Sequence, residues 1–410
     1  MKAVILILLL FSVAAMFDEA AAQISSVQSL LVGPSIRASG MGRSSAAVFW
    51  GGDADYWANP ALLGYHDGLR FEHGKTQLVP DLADDVYFRS DRFTLARWGI
   101  GITATAPFGR NRLDYGETMA IDEQGHNLGT FTSYEEYDDF GIGVSFARAS
   151  ESLLRRADPS FPELSRYGDI ALGVSHQDVH VDFAPSWAMP DGNPATGNVT
   201  VRDFGVLLRF TPFNSIGGSS LFADFDDMFG PVGGMRLDLA YAQSKQNYRE
   251  ETITYSGFDQ TDPVAATTRN AISLHVETGF PYELGARMKS SGHGWLVGAL
   301  TPLISVGWSR EKIEDNVFPD AEPIRNWGAE LVLAQIVHLR TGRIKDVNGD
   351  IIDSTWGWGL GFEIDGLVGF RYDRATVPQA RELDTVDRNG FTVVVHPLEI
   401  FQKVTPDERP

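Results

Sequence analysis

The sequence predicts an all-β chain whose antiparallel strands close into a transmembrane β-barrel. Three observations carry that expectation. Apolar residues recur at every second position in segment after segment, sustained helical periodicity is missing, and the N-terminus reads as an export signal. Composition sets the outer bounds. The chain has 410 residues, 42 Gly, 20 Pro, no Cys, 43% hydrophobic residues and a formal net charge of −20. That is enough apolar mass to exclude global disorder. The absence of Cys excludes disulfides, Cys-ligated zinc, iron–sulfur clusters and thiol catalysis. The acidic balance argues against nucleic acid as a partner, because phosphate binding needs basic surface.

The N-terminus sets the compartment. Met1-Lys2 is a short positive region, and Ala3 to Phe17 form an apolar run that ends at Asp18-Glu19. At about 15 residues the run is shorter than the ~20 of a spanning helix. Ala20-Ala21-Ala22 supplies the small residues of a cleavage site before Gln23. Residues 1–22 are therefore expected to be a signal peptide.

The strands follow in order. Ile100, Ile102 and Ala104 alternate with Gly101 and Thr103; Phe140, Ile142, Val144 and Phe146 alternate with Gly141, Gly143 and Ser145. Phe204, Val206, Leu208 and Phe210 stand opposite Gly205 and Arg209, and Leu237, Leu239 and Tyr241 opposite Asp238 and Ala240. Ile304, Val306 and Trp308 continue the pattern, as do Trp327, Ala329, Leu331 and Leu333. Near the C-terminus, Trp356, Trp358, Leu360, Phe362 and Ile364 share one face, and Gly357, Gly359, Gly361, Glu363 and Asp365 the other. Asp365-Gly366 reads as a type I′ hairpin turn into Val368, Phe370 and Tyr372. Each set puts apolar groups on one strand face and small or charged groups on the other.

A soluble β-sandwich would point the apolar face inward, and a membrane barrel would point it at lipid. Strand length and aromatics favour the barrel: Trp295, Trp308, Trp327, Trp356 and Tyr372 cluster near strand ends, where membrane interfaces hold such rings. An exported soluble β-protein is the alternative. Under the barrel reading, Leu208→Arg or Leu360→Arg should impair assembly, and Gly359→Ser on the other face should matter much less. Polar stretches at Asp114 to Ser133, Asp191 to Gly197, Asn214 to Gly234 and Glu250 to Thr268 read as long loops. Glu135-Glu136, Asp138-Asp139 and Asp226-Asp227 read as solvating charges.

The segment before the first clear strand differs. Gly40-Met41-Gly42 lies in a small-residue stretch, and Asn59-Pro60 signals a turn or helix start with Pro in the first turn. Small residues of this kind let a segment pack closely inside something else. From Gly40-Met41-Gly42 through Asp55-Tyr56-Trp57 to Asn59-Pro60-Ala61, the chain resembles the PorV/PorQ-type outer-membrane proteins, relatives of the FadL-like transporters of hydrophobic substrates. Val201 to Pro212, Gly328-Ala329-Glu330 with Leu339-Arg340-Thr341-Gly342, Trp356 to Phe362, Tyr372-Asp373 and Gly390 to Val393 extend the resemblance in order. It implies one barrel of about 14 strands in the bacterial outer membrane with a small N-terminal plug. The expected organisation is a hatch over 23–64, a barrel over 65–401 and a polar tail over 402–410. Many outer-membrane barrels end in an aromatic residue, whereas here the tail follows Phe401. The candidate hatch motif is Gly40, Met41, Gly42, Asn59 and Pro60.

Catalytic and metal chemistry finds no convincing constellation. His176, Asp178, His180 and Asp182 share a strand face, but the two His would sit about 13 Å apart at strand rise. They read as lumen-facing polar residues. Asp346-Val347-Asn348-Gly349-Asp350 resembles the start of a calcium loop, yet Ile351 stands where Gly is required, so a hairpin turn is expected. Gly357, Gly359 and Gly361 alternate along a strand and do not open a helix, so they are no dinucleotide fingerprint. No cofactor, no metal and no enzymatic activity are expected. The resemblance implies two roles. The first is a PorV-type barrel that handles secreted proteins in type IX-like secretion, with secretion-machinery proteins and exported cargo as partners. The alternative is a FadL-like passive transporter of hydrophobic small molecules. Outer-membrane lipid is a partner under both.

Overall fold

The structure is a computed structural model; it describes residues 25–397 apart from 81, 123, 190–191, 213–234, 258–260, 280–286, 289, 293–299, 301, 365–366 and 382. The expected signal peptide, the Asp365-Gly366 turn, the Asn214 to Gly234 loop with Asp226-Asp227, Trp295 and the C-terminal tail lie outside the described residues.

The strands are β1 (Gly68–Gln77), β2 (Val86–Arg97), β3 (Ile100–Ala104), β4 (Asn111–Ile121), β5 (Asn127–Ser145), β6 (Gly168–Ala184), β7 (Ala195–Phe210), β8 (Met235–Gln246) and β9 (Thr252–Thr254). They continue as β10 (Thr261–Pro263), β11 (Thr267–Thr278), β12 (Ile304–Asp315), β13 (Ile324–Leu333), β14 (Val337–Asp346), β15 (Ile351–Ile364), β16 (Val368–Val377) and β17 (Val386–Val395). β1 pairs antiparallel with both β2 and β17, so the sheet closes on itself and keeps no free edge. Because β3 and β4 share one position between β2 and β5, the closed sheet is a 14-stranded antiparallel barrel. The interruption is local. Ala104 pairs with Phe140 and Asn111 with Tyr137, while 105–110 turn out of the wall and rest Phe108 against Phe93 on the outer face.

The outward face divides into two zones. From the end where β1 begins and β17 finishes (the terminal end), outward residues are apolar: Ile304 and Val306, Leu237 and Leu239, Phe210, Leu208 and Val206, Ile170, Leu172 and Val174. An aromatic residue closes the zone on many strands, at Phe140, Phe204, Tyr241, Trp308, Trp327, Trp356, Tyr372 and Phe391. Beyond it the outward positions turn polar: Asp138, Arg202, Gln243, Arg310, Arg325, Arg374 and Asn389. An apolar band bounded by an aromatic girdle is the signature of a lipid-facing belt, and the barrel wall extends past that belt at the opposite end. Leu208 and Leu360 are 44% and 49% exposed within the band. Arg at either position costs about 2–4 kcal/mol at mid-bilayer depth. Leu208→Arg should therefore lower the heat-modifiable, folded fraction, while Thr376→Arg, outward beyond the girdle, should leave it unchanged. Equal tolerance would refute the belt.

The two-zone wall corrects several sequence expectations. Asp114 to Ser133 is largely the β4–β5 hairpin, not a long loop, and Glu250 to Thr268 contains the small β9–β10 hairpin. Glu135 and Asp139 are lumen-facing, buried strand residues. His176, Asp178, His180 and Asp182 face outward beyond the belt, opposite to the lumen assignment, because the inward positions of β6 are Ser175, Gln177, Val179 and Val181. Asp346 to Asp350 does form the β14–β15 turn, with Gly349 N–H donating to the Asp346 carboxylate at 2.9 Å. Gly359 faces the lumen, but a Cβ there would lie 2.2 Å from Asp373 Oδ1, so Ser is not the mild change expected.

Residues 25–66 lie inside the barrel. They contain a turn at Gln28–Leu31, a short helix at Ile36–Gly40 and a 3₁₀ turn at Pro60–Tyr65. Ser35 caps the helix by accepting from Ala38 N–H, and Asn59 caps the last turn by accepting from Ala61 N–H, with Pro60 in the first position.

Candidate functional site

The wall receives this inner segment through its lumen-facing glycines. A Cβ on Gly173 would meet the Pro60 and Ala61 backbone at 2.2–2.4 Å; one on Gly205 would meet Asn59 Oδ1 at 1.9 Å. Likewise Gly307 makes room for the Trp50 indole, Gly328 for Met41, Gly342 for Gly42, and Gly143 for the Pro60 carbonyl and Leu63. Gly40 lies against Gly357, backbone to backbone. Gly42 has φ +63°, the left-handed region that favours glycine, and a Cβ there would run into the Trp327 carbonyl at 2.5 Å. Of the candidate motif, Gly40, Met41 and Gly42 thus sit against β13, β14 and β15, and Asn59 and Pro60 against β6 and β7. The two halves of the motif seat on different parts of the wall and share one buried cluster through Met41, Ala46, Ala58 and Ala61.

Polar contacts also hold the segment. Arg37 donates to Asp53 at 2.8 Å and to Glu330 on β13, which also accepts from Trp50 Nε1 at 3.0 Å and from Arg340 Nε at 2.8 Å. Arg340 continues to Asp373 at 2.6 Å, and Arg371 bridges Asp373 to Asp53. Three arginines and three carboxylates close a charge-balanced network between segment and wall. Further ties come from Ser273 and Ser244, which donate to the carbonyls of Ala47 and Ala58, and from Glu311, which accepts from Ser45 and Ala46 N–H. Asn59 Nδ2 donates to Ala46 O at 2.9 Å and Val206 O at 3.2 Å. Sequence reading missed Arg37, Trp50 and Glu330. The available signal was a carboxylate at a lumen-facing position among glycines, Gly328-Ala329-Glu330.

His66 closes the segment, with its Nε2 2.7 Å from the Ala54 carbonyl. Burial, reinforced by Arg70, holds its imidazole at about 3, against an ordinary value of 6.5. His66 is neutral when docked, so docking is favoured fully above pH 6.5, where the undocked imidazole is neutral too; as pH falls toward 3 the undocked chain takes up a proton that the docked one excludes, and that contribution is lost. Burial raises the Asp55 carboxyl, which acts in the opposite sense. Hydrogen exchange in residues 54–66 should therefore rise on acidification more in the wild type than in His66→Gln. Identical profiles would remove His66 as the cause.

Two compartments flank the segment. At the terminal end a cavity of about 1250 Å³ has Phe49, Trp50 and Tyr65 in its floor. Trp50 stacks on His275 with ring centroids 4.8 Å apart, and Arg209 lies over both Phe49 and Tyr65. Arg70, Arg148, Arg236 and Arg371 line it with Asp238 and Glu277, so this vestibule is charged and aromatic. At the opposite end one side of the lumen holds an apolar compartment. Phe88, Leu113, Tyr137, Val179, Val181 and Val201 project from β2, β4, β5, β6 and β7, and Ile253, Tyr255 and Val264 close over them from β9 and the loops beside the β9–β10 hairpin. Val27 and Leu30 fill this compartment, 1% and 0% exposed. Glu135 accepts from Ser29 N–H at 2.7 Å, Gln246 donates to the Leu30 carbonyl, and Ser26 N–H donates to the Pro263 carbonyl. Among the described residues, no group of three or more His, Asp or Glu could hold a metal ion.

No family model and no curated protein matches this chain. Solved structures do resemble it. The toluene transporter TodX of Pseudomonas putida is similar over 87% of this chain and 96% of its own, at 11% identity and a TM-score of 0.39. A FadL homologue of Pseudomonas aeruginosa is similar over 87% and 96%, at 10% identity and a TM-score of 0.33. CdiB from Acinetobacter baumannii is similar over 80% of this chain and 60% of its own, at 7% identity and a TM-score of 0.36.

Proposed function

We propose that the protein is an outer-membrane passage for small, mainly apolar molecules, with residues 23–64 as its hatch and Gly40, Met41, Gly42, Asn59 and Pro60 as part of the hatch seat. One observation carries this reading: the lumen contains an apolar compartment occupied by the chain's own Val27 and Leu30. Apolar side chains inside a water-accessible barrel are costly to expose, and a pocket shaped around two aliphatic side chains accepts an aliphatic or aromatic guest of similar volume once they leave. The chain enters that compartment as a short turn anchored by a few hydrogen bonds, so it can withdraw without unfolding the wall. A barrel that receives secreted proteins needs no such compartment, which favours the small-molecule reading over the PorV-type role. Apolar transport also needs no catalytic group, in keeping with a non-enzymatic function.

Uptake tests the reading. Cells carrying the wild-type barrel should accumulate a labelled monoaromatic hydrocarbon faster than cells lacking it, and Val201→Asp, which puts a charge in the compartment wall, should abolish the difference. If Val201→Asp folds and uptake is unchanged, the apolar compartment is not the route.

A further inference from the structure

Beyond the aromatic girdle, three adjacent strands carry a patch of outward cations. On β12, Arg310 and Lys312 are exposed while Ser309, Glu311 and Ile313 point inward. On β13 Arg325 is exposed, and on β14 Arg343 is exposed and Lys345 half-buried. The register places Lys312 opposite Arg325 and Arg325 opposite Lys345, a continuous row of three cations. The next row toward the membrane is Arg310, Trp327 and Arg343. Like charges directly opposite each other disfavour a strand pair, so an external anion bridging these cations would be stabilising. Lys312 and Lys345 have carboxylate partners in Glu314 and Glu322, at 2.5 and 3.6 Å. Among the described residues, Arg310, Arg325 and Arg343 have none. On a chain of net charge −20 the patch is a local exception. The outward positions of β5 and β6 instead carry Glu136, Asp138, Asp178 and Asp182.

Position identifies the occupant. The patch begins directly above Trp308 and Ala329 of the lipid belt, with Trp327 at its centre, at the height where membrane headgroups meet the wall. Arginine forks suit phosphate oxygens. Arg310 and Arg343 lie two strands apart, about 10 Å, and the second row lies about 7 Å further along the strands. That spread exceeds one phosphate. We propose that the outward face of β12–β14 is a binding site for a membrane-lipid headgroup carrying more than one phosphate. This assignment is independent of what passes through the lumen.

The test uses full-length protein in phosphatidylcholine nanodiscs doped with diphosphorylated lipid A, with bound lipid read by native mass spectrometry. The wild type should retain diphosphorylated lipid A at least about tenfold more tightly than the Arg310→Gln/Arg325→Gln/Arg343→Gln variant, and more tightly than monophosphorylated lipid A. Arg374→Gln, which removes an outward cation paired with Asp387, should bind like the wild type. Heat-modifiable migration checks that each variant is folded. Equal retention by wild type and triple variant would overturn the proposal, as would no preference for the diphosphorylated lipid. Displacement by soluble pyrophosphate at equal affinity would mark a free-anion site and overturn it too.

Discussion

Glu330→Ala is expected to release the inner segment from the wall. The carboxylate accepts from Arg37, Trp50 and Arg340 and is itself fully buried. Its loss leaves Arg37 and Arg340 sharing Asp53 and Asp373 with Arg371, one positive charge in excess inside the lumen. Breaking a buried pair from one side costs about 3–5 kcal/mol, because the remaining charge is desolvated without compensation. The strands make their own ladder, so the barrel should still form. The variant should show protease cleavage within 33–58 and raised ion leak in planar bilayers, both near zero in the wild type. An Arg37→Met/Glu330→Met double variant removes both charges and should recover much of the docking. If Glu330→Ala stays closed and protease-resistant, the network does not hold the segment.

Gly173→Val should act at the other side of the segment with an effect of similar size. Its Cβ would occupy the space of the Pro60–Ala61 peptide, and main chain cannot swing aside as a flexible side chain can. Overpacking typically costs about 1–3 kcal/mol; here relief requires lifting the whole Asn59-capped turn. Gly361→Ala provides the contrast, since its nearest neighbour is the Arg371 side chain at 3.3 Å. Hydrogen exchange across residues 46–66 should rise sharply for Gly173→Val and barely for Gly361→Ala. A matched response would mean that the glycines are not a seat.

The sequence makes the lipid belt legible and the lumen much less so. Phe204 to Phe210 and Trp356 to Ile364 alternate because one face meets hydrocarbon and the other small residues. Past the girdle the apolar phase inverts or is diluted: β6 turns Val179 and Val181 inward and His176, Asp178 and His180 outward, while β4 and β5 mix Leu113 and Tyr137 with Glu135 and Asp139 on the lumen side, so the outward hydrophobic period is lost while the strand continues. That is why Asp114 to Ser133 reads as a loop and why His176 to Asp182 is assigned to the wrong face. The glycines announce a lumen side. Their partners do not follow from spacing, because Gly173 meets Pro60 and Gly307 meets Trp50 across more than a hundred residues of chain. Arg37 and Glu330 are nearly three hundred residues apart, and only the closed barrel joins them. The small-residue stretch around Gly40-Met41-Gly42 does signal close packing, and the segment lies in that kind of contact.

The most direct measurement is binding of naphthalene to the purified barrel, comparing wild type with the Val27→Ala/Leu30→Ala variant by calorimetry. Truncating the two side chains leaves the compartment between Phe88, Tyr137, Val201 and Ile253 unfilled, and dry apolar cavities of this kind take up aromatic guests. The truncated variant should bind naphthalene at least about tenfold more tightly than the wild type, because the guest no longer competes with the chain itself. Adding Val201→Asp to the same variant should abolish binding. Equal, weak binding by wild type and truncated variant, or strong binding that survives Val201→Asp, would contradict the assignment of this compartment as the site for apolar molecules.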